Sequence, residues 1–534
     1  MKKLPIGIQN FKKIVTNDYV YVDKTRYVHE LINDSSYYFL SRPRRFGKSL
    51  LLDTIAEAFS GDKELFRGLW IYDSDYDFVK HPVIRLDMSG ISSRTPEIME
   101  SSLLSNLKKR VADETLNINI EISSDIFQYL IEDLYKKYGQ RVVVLIDEYD
   151  KPIIDHLDDI RLAEENRKVL RGFYGILKSM DPYLRMTFIT GVSKFTKTSI
   201  FSGLNNIRDI TMSSKYSSIC GIDTDDLEKY FSEHIEHLSK LDEFSSSTNL
   251  CDEILAWYDG YSWNGKTRVI NPYSLLNFFT EERFSNYWYA SGTPKFLLDL
   301  IKTREEGYAN LQNLDVGEWA LDSFDIDNIE AEPLLFQTGY LTVKEVLPGA
   351  RPPVYIMGIP NYEVRVAFNL HILAEFTEKS GSFTESAHRR IKAALEAGDL
   401  QSMLVIMRSL FASIPYELHI KQEQYYHSIF YAILNLLGFD IDAEVSVSGG
   451  RVDAVLELGD KVYVIEFKYE HCEKDAAPEE RQLLSEKALT AGMKQIRDRD
   501  YADKYAGSGK TVYQAAFAFL GRDDVEMCME ILQH

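Results

Sequence analysis

The sequence predicts an α/β multidomain chain, and three stretches predict it. The first is SYYFLS, a short aromatic and β-rich run, followed by RPRRFGKSLLLDTIAEAFSG, in which Leu50, Leu51, Ile55 and Phe59 recur at helical spacing and Gly61 is a plausible stop. The second is RVVVLIDEYDKPI, whose unbroken apolar run from Val142 to Ile146 suits a strand buried on both faces of a parallel sheet. The third is a helical stretch from Glu423 to Leu437, ending at Gly438. It is followed by AEVSVS, RVDAVLEL and KVYVIEFK, strand-like runs separated by Gly-Gly and Gly-Asp turns.

Length and composition set the frame for these elements. A chain of 534 residues is too long for one core and predicts two or three domains. A hydrophobic fraction of 45% supports sizeable cores, and the 15 prolines form no long Pro-rich tract. The balance of 61 Lys and Arg against 82 Asp and Glu, a net −21, argues against a protein that coats nucleic acid non-specifically, though not against a local basic groove. Cys220, Cys251, Cys472 and Cys528 are far apart and form no CxxC pair, so they read as reduced thiols with no zinc framework, in a cytoplasmic protein. The opening MKKLPIGIQNF has no apolar segment of signal-peptide type, and no apolar run reaches membrane-spanning length, so no membrane association is expected.

In the first stretch the order is strand, turn, helix. A helix N-terminus offers free N–H groups and the positive end of the dipole to an anion. Gly47 lets the backbone come close, Lys48 can reach the β- and γ-phosphates of a nucleotide, and the Ser49 hydroxyl can ligate Mg²⁺. Arg44 and Arg45, in the middle of the turn, join them as candidate nucleotide contacts. Arg42 stands where such a turn usually has its first glycine. Arginine does not readily adopt a positive φ, so the turn is expected to begin differently, with Pro43 fixing the chain there.

At the carboxyl end of the second strand, Asp147 can hold Mg²⁺ and Glu148 can orient or deprotonate an attacking water. A third strand, RMTFITGVSKF, ends near Thr190 and Ser193, small polar groups able to sense a γ-phosphate, with Lys194 and Arg208 as weaker phosphate candidates. The later string AGSGKT contains Gly509, Lys510 and Thr511, but VYQAAFAFLG after it reads as a strand. A turn that leads into a strand supplies no helix N-terminus, so no nucleotide is expected there.

In the middle, DTDDLEKYFSEHIEHL is an amphipathic helix with acidic residues in its first turn, and WYDGYSWNGKTRVINPYSLLNFF is aromatic in the manner of core and corner packing. LLFQTGYLTVKE and MGIPNYEVRVAF read as short strands around Gly339 and Gly358, giving small helices with a β-wing.

In the last stretch, strand alternation puts Glu466 and Lys468 on one face, and the hairpin brings Asp453 alongside them. Glu444 lies one strand further out. Glu423 and His427 are one helical turn apart. Two carboxylates and a lysine suit metal-dependent phosphodiester hydrolysis. Asp453 and Glu466 would ligate Mg²⁺ or Mn²⁺, Lys468 would orient water or stabilise charge, and Glu423 would add a third acid; His427 would contact phosphate or pack the helix.

These stretches, together with LPIGIQNF, YVDKT (Tyr21 to Thr25) and GLNNIRDIT, resemble the predicted AAA-ATPase-like family often fused to a PD-(D/E)XK nuclease domain. The arginine-rich turn is itself part of that pattern, and GRVD carries the first acid of the nuclease motif. MKQIRDRDYADKY resembles the helix motif in which Gln495 and Tyr501 help bind the nucleic-acid strand, although the two lie six positions apart here, longer than the compact form of some relatives. The resemblance implies a P-loop NTPase parallel sheet with helices over residues 1–218. A helical, winged-helix-like module would follow over 219–375, and a restriction-endonuclease-like α/β domain over 376–534. It implies an ATP-binding fold and does not by itself establish turnover; the expectation built on it is ATP and Mg²⁺ as cofactors, hydrolysis of ATP and of a phosphodiester, and a nucleic-acid partner, DNA ahead of RNA. A homo-oligomer is a further expectation, since AAA-like ATPases often complete their sites across subunits. The alternative is a nucleotide-regulated switch whose nuclease fold docks nucleic acid or protein without cutting it.

Overall fold

The computed structural model describes residues 1–195, 206–244, 249–288, 314–322, 331–377, 380–411, 433, 442–448, 451–473, 476–498, 509–520 and 524–533; along 442–448 and 451–454 the backbone alone is described. The chain divides into two compact units, Met1–Ser291 with Asn313–Glu363, and Gly292–Gln312 with Val364–His534.

The first unit is built on a five-stranded sheet of β1 (Tyr37–Ser41), β2 (Val83–Asp87), β3 (Val142–Asp147), β4 (Leu184–Gly191) and β5 (Arg208–Asp209), in the order β2-β3-β4-β1-β5 with every pairing parallel. Tyr37 to Ser41 and Val142 to Ile146 are buried without alternation, as strands covered on both faces must be. Because β4 separates β1 from β3, the chains leaving the carboxyl ends of β1 and β3 flank a crevice, the usual ligand position in such sheets.

The N-terminal motifs fasten the helix Lys48–Ala58 from behind. Asp53 on that helix, 2% exposed, accepts from the Phe11 N–H at 2.6 Å and pairs with Arg85. Tyr21 OH meets Thr54 Oγ1 at 3.2 Å. Asp23 accepts from the Thr25 N–H and hydroxyl and, with its other oxygen, from the Trp70 N–H. A buried charge held by several hydrogen bonds is costly to break, which accounts structurally for IQNF and YVDKT.

The predicted acidic helix spans Thr224–Leu238 with a capping box between Asp223 and Asp226. It packs with Leu250–Tyr258 and Pro272–Glu281 through Phe231, Tyr258, Phe278 and Phe279. A three-stranded antiparallel sheet follows, β6 (Leu314–Gly317), β8 (Val354–Gly358) and β7 (Thr342–Val346) in that spatial order. Two readings need correction here. LLFQT lies in the helix Ala331–Thr338, and YEVRVAF opens the helix Tyr362–Thr377; only Thr342–Val346 and Val354–Gly358 are strands. LLFQT is too short an apolar run to separate a buried strand from a buried helix, and YEVRVAF alternates apolar and polar residues as a strand would, although it opens a 16-residue helix.

The second unit carries helices Gly381–Ala397 and Leu400–Phe411 and a mixed sheet. Its strands are β9 (Asp442–Ser448), β10 (Arg451–Leu458), β11 (Lys461–Glu470), β12 (Thr511–Leu520) and β13 (Asp524–Gln533), in the order β13-β12-β11-β10-β9. Only β11 and β12 pair in parallel; between them the chain crosses the sheet as the helix Pro478–Asp498. That helix packs Met493 and Ile496 on Val462, Val464, Val512 and Ala516. The contact is close at Gly492, where a Cβ would come within 2.9 Å of the Ala516 Cβ. Among the described residues no helix is long and apolar enough to cross a membrane.

Candidate nucleotide and nuclease sites

At the first site the turn after β1 feeds the helix Lys48–Ala58 through Gly47, whose φ of 93° only glycine adopts freely. No side chain caps this helix among the described residues, so its first N–H groups remain available to an anion. Lys48 is buried, and its Nζ donates to the Arg42 and Pro43 carbonyls at 2.9 and 3.1 Å. Burial pulls its ammonium below the ordinary lysine range, while Asp147, Glu148 and Asp150 act against that shift. Ser49 is half-buried beside it.

Asp147, at the carboxyl end of β3, accepts from Thr190 Oγ1 at 2.6 Å and from the Glu148 N–H at 3.0 Å. Burial raises the Glu148 carboxyl, with Lys48 opposing. Its φ of 48° and that of Arg45, 69°, are uncommon for non-glycine residues; strained backbone gathers at functional sites. Ser193 is fully buried, and its Oγ has no hydrogen-bond partner among the described residues.

Asp150, inside LIDEYD but given no role from the sequence, organises this edge. It is 1% exposed and accepts from the Val192 N–H at 3.1 Å and the Ser193 N–H at 2.5 Å, which fixes the chain leaving β4. Burial pushes its carboxyl up to about 6 despite these bonds. Lys194 and Arg208 form ion pairs, with Asp209 at 2.7 Å and Asp34 at 2.5 Å.

The arginines occupy different places. Arg44 is exposed. Arg45 is half-buried and donates to the Tyr287 and Trp288 carbonyls at 3.0 and 3.2 Å. Arg42 is fully buried and donates to the carbonyls of Ser41, Thr211 and Tyr216. Burial lowers its guanidinium to about 10. The residue in the first-glycine position thus carries no positive φ and is held by its side chain. On the flank of the turn lies a largely apolar pocket of about 100 Å³, lined by Tyr21, Lys24, Phe46, Leu50, Cys220 and Leu276 among others. No local signal marks it, because its walls come from six separate stretches between Pro5 and Leu276.

In the second unit the Gly459–Asp460 turn joins β10 to β11 through the Leu458–Lys461 pair, and that register sets Asp453 directly opposite Glu466. Directly opposed positions share a sheet face. Glu466 is 2% exposed, and its Oε1 accepts from Lys468 Nζ at 2.8 Å. The same Nζ donates to Gln495 Oε1 at 2.6 Å, while Gln495 Nε2 is buried with no partner among the described residues. The backbone thus aligns the predicted Asp453 with Glu466, and side chains join Glu466, Lys468 and Gln495. Glu423, His427 and Tyr501 lie outside the described residues. Among the described residues no three His, Cys, Asp or Glu side chains gather to hold a metal.

The Gly509–Thr511 string leads directly into β12, as expected, and Lys510 pairs with Glu457 at 2.6 Å.

A parallel sheet with an uncapped Gly-Lys-Ser helix and an aspartate on the adjoining crevice, joined to a sheet with opposed Asp and Glu positions, defines a nucleotide-binding unit linked to a nuclease-type unit. Residues 5–201 match the family described as predicted AAA-ATPase, and residues 421–527 match the PD-(D/E)XK nuclease superfamily. The chain belongs to the predicted AAA-ATPase family with a C-terminal PD-(D/E)XK nuclease-superfamily domain. It is 36% identical over 526 residues, 97% of this chain and 96% of the other, to the "Uncharacterized protein in vnfD 5'region" of Azotobacter chroococcum mcd 1. Two solved structures of Drosophila ORC with Cdc6 align at low similarity. The one bound to poly(dA/dT) DNA has a TM-score of 0.26 and 10% identity, covering 78% of this chain and 62% of that one. The one bound to GC-rich DNA has 0.23 and 11%, covering 79% and 63%.

Proposed function

We propose that the protein binds and hydrolyses ATP in the first unit and cleaves nucleic-acid phosphodiesters, DNA ahead of RNA, with a divalent cation in the second. The observation that carries the reading is the register setting Asp453 opposite Glu466, two residues before Lys468. The donor chemistry fits: hard carboxylate oxygens at 453 and 466 suit Mg²⁺ or Mn²⁺, and Glu423 is the third acid offered by the sequence. In the first unit, Ser49 and Asp147 form the corresponding oxygen set. Bound at either place, the cation would screen phosphate charge and acidify a water.

The rest falls to the chain's own groups. The free N–H groups at Gly47 and Lys48 receive phosphate oxygens, Lys48 neutralises them, and the flanking pocket takes the adenine. Glu148, raised by burial, orients the attacking water and accepts its proton, while the Ser193 hydroxyl reads the γ-phosphate. In the second unit Lys468, held between Glu466 and Gln495, donates to the developing charge on the scissile phosphate. Gln495, with Tyr501 and His427, contacts the nucleic-acid strand.

The test is cleavage of labelled single- and double-stranded DNA and RNA with Mg²⁺ or Mn²⁺, with and without ATP. Wild-type protein should cleave. Glu466→Ala should lose cleavage by at least roughly a thousandfold while keeping its ATP affinity. Wild-type protein inert under every condition, or a variant that cleaves as well as wild type, would sink the nuclease reading.

A further inference from the structure

Arginines in a phosphate-binding turn invite the reading that they grip phosphate. The contacts of this turn run the other way. Arg42 lies with its guanidinium carbon 3.8 Å from the ring centre of Trp263 and spends its donors on three backbone carbonyls. Arg45 lies 3.9 Å from the ring centre of Tyr273 and donates to the carbonyls of Tyr287 and Trp288. Phe46, next in sequence, sets its ring edge-on to Tyr261 and Trp263 at 4.8 and 5.6 Å. Asn271 caps the helix Pro272–Glu281 through the Tyr273 and Ser274 N–H groups, and its Nδ2 donates to the Arg44 carbonyl at 3.5 Å. Behind these contacts, fully buried Glu363 accepts from the Trp288 N–H and the Ser274 hydroxyl, both at 2.7 Å.

Arg42, Arg45 and Phe46 therefore each pack on aromatic rings of 261–288, although the carbonyls that Arg42 reaches, Ser41, Thr211 and Tyr216, lie outside that segment, and each contact uses a group that suits it. A planar guanidinium stacks on an aromatic face while its fork donates to carbonyls; lysine does neither in this way. The positive φ of Arg45 needs such a restraint, since an unrestrained turn would relax out of it.

We propose that Arg42 and Arg45 are positioning residues that fasten the phosphate-binding turn to the segment 261–288, so that nucleotide affinity is set by the state of that segment. The proposal rests on the nucleotide reading of the turn. It makes Arg45 an anchor of the turn rather than a nucleotide contact. Coupling is reciprocal, so bound nucleotide must steady 261–288 as much as that segment steadies the turn.

The test uses the full chain with Mg²⁺, titrated separately with ATP and ADP. The proteins are wild type, Arg45→Ala, Tyr273→Leu, their double variant, Tyr273→Phe and Lys48→Ala. A positioning role predicts roughly tenfold weaker binding of both nucleotides for Arg45→Ala and for Tyr273→Leu. The double variant should be no weaker than either single one, and Tyr273→Phe, which keeps the ring, should match wild type. Backbone hydrogen exchange along 261–288 should slow on adding ADP in wild type and not in Tyr273→Leu. If Arg45→Ala does not fold, the Tyr273 pair decides alone. Loss of ATP affinity only, with ADP unchanged, would mean that Arg45 touches phosphate and would overturn the proposal, as would multiplying losses in the double variant or an unaffected Tyr273→Leu. If wild type binds neither nucleotide and equals Lys48→Ala, the nucleotide reading itself falls and takes the positioning role with it.

Discussion

The chain carries two Gly-Lys-Ser/Thr strings, at 47–49 and 509–511, and their surroundings differ at every level. Both glycines have positive φ, 93° and 73°. Lys48 then opens an uncapped helix and is buried against the carbonyls of its own turn. Lys510 precedes β12 and reaches past β11 to Glu457 on β10. The first string stands before helix N–H groups that no side chain among the described residues caps, the second before a ladder in which the Thr511 N–H is already bonded to the Asp460 carbonyl at 2.8 Å. The tripeptide alone does not make an anion site; the element that follows it does.

Four perturbations test this difference and the packing around it. The largest effect is expected at Arg42. Arg42→Ala removes a buried guanidinium and leaves the Ser41, Thr211 and Tyr216 carbonyls without that donor, so thermal or urea unfolding should show a loss of about 3–5 kcal/mol in the first unit.

Next comes pH. Burial pushes Glu363 up to about 7 from an ordinary 4.5, with hydrogen bonds from Trp288, Ser274 and Tyr287 and the charge of Arg45 acting against it. The folded state then holds a proton that the unfolded state has released, so stability from this group falls as pH rises from about 4.5 to 7 and is level above that. Melting curves of wild type and Glu363→Gln should show wild type losing on the order of 2–3 kcal/mol relative to the variant across that window. A constant difference would mean that Glu363 does not titrate there.

Glycine comes third. A Cβ at Gly47 or Gly509 would meet no atom of the described residues within 4 Å, so alanine at either position is expected to cost backbone strain, about 1–2 kcal/mol. Both variants should lose similar stability, but only Gly47→Ala should weaken ATP binding. The smallest effect is at Lys510, whose partly exposed ion pair is worth under about 1 kcal/mol in denaturant unfolding of Lys510→Ala.

Much of this was legible from local pattern. Unbroken apolar runs marked β1 and β3, and a helical period after Gly47 against β-branched and aromatic residues after Thr511 separated the two strings. At the second site the Gly-Asp turn was enough: a two-residue connection fixes the register, and the register puts Asp453 opposite Glu466. What stayed hidden was non-local. Trp263 and Tyr273 looked like ordinary core aromatics because the arginines they stack on lie more than two hundred residues earlier. Asp150 stood in plain view, but its role depends on N–H groups at the end of a different strand. LLFQT, an apolar run without period, took its helical form from its surroundings.

On the reading proposed above, nucleotide binds at 47–49 and not at 509–511. Isothermal titration of Mg²⁺-ATP into wild type, Lys48→Ala and Lys510→Ala tests it most directly. One site is expected, with an unchanged affinity in Lys510→Ala and a loss of roughly 10- to 100-fold or more in Lys48→Ala. Full affinity in Lys48→Ala, or a comparable loss in Lys510→Ala, would contradict it.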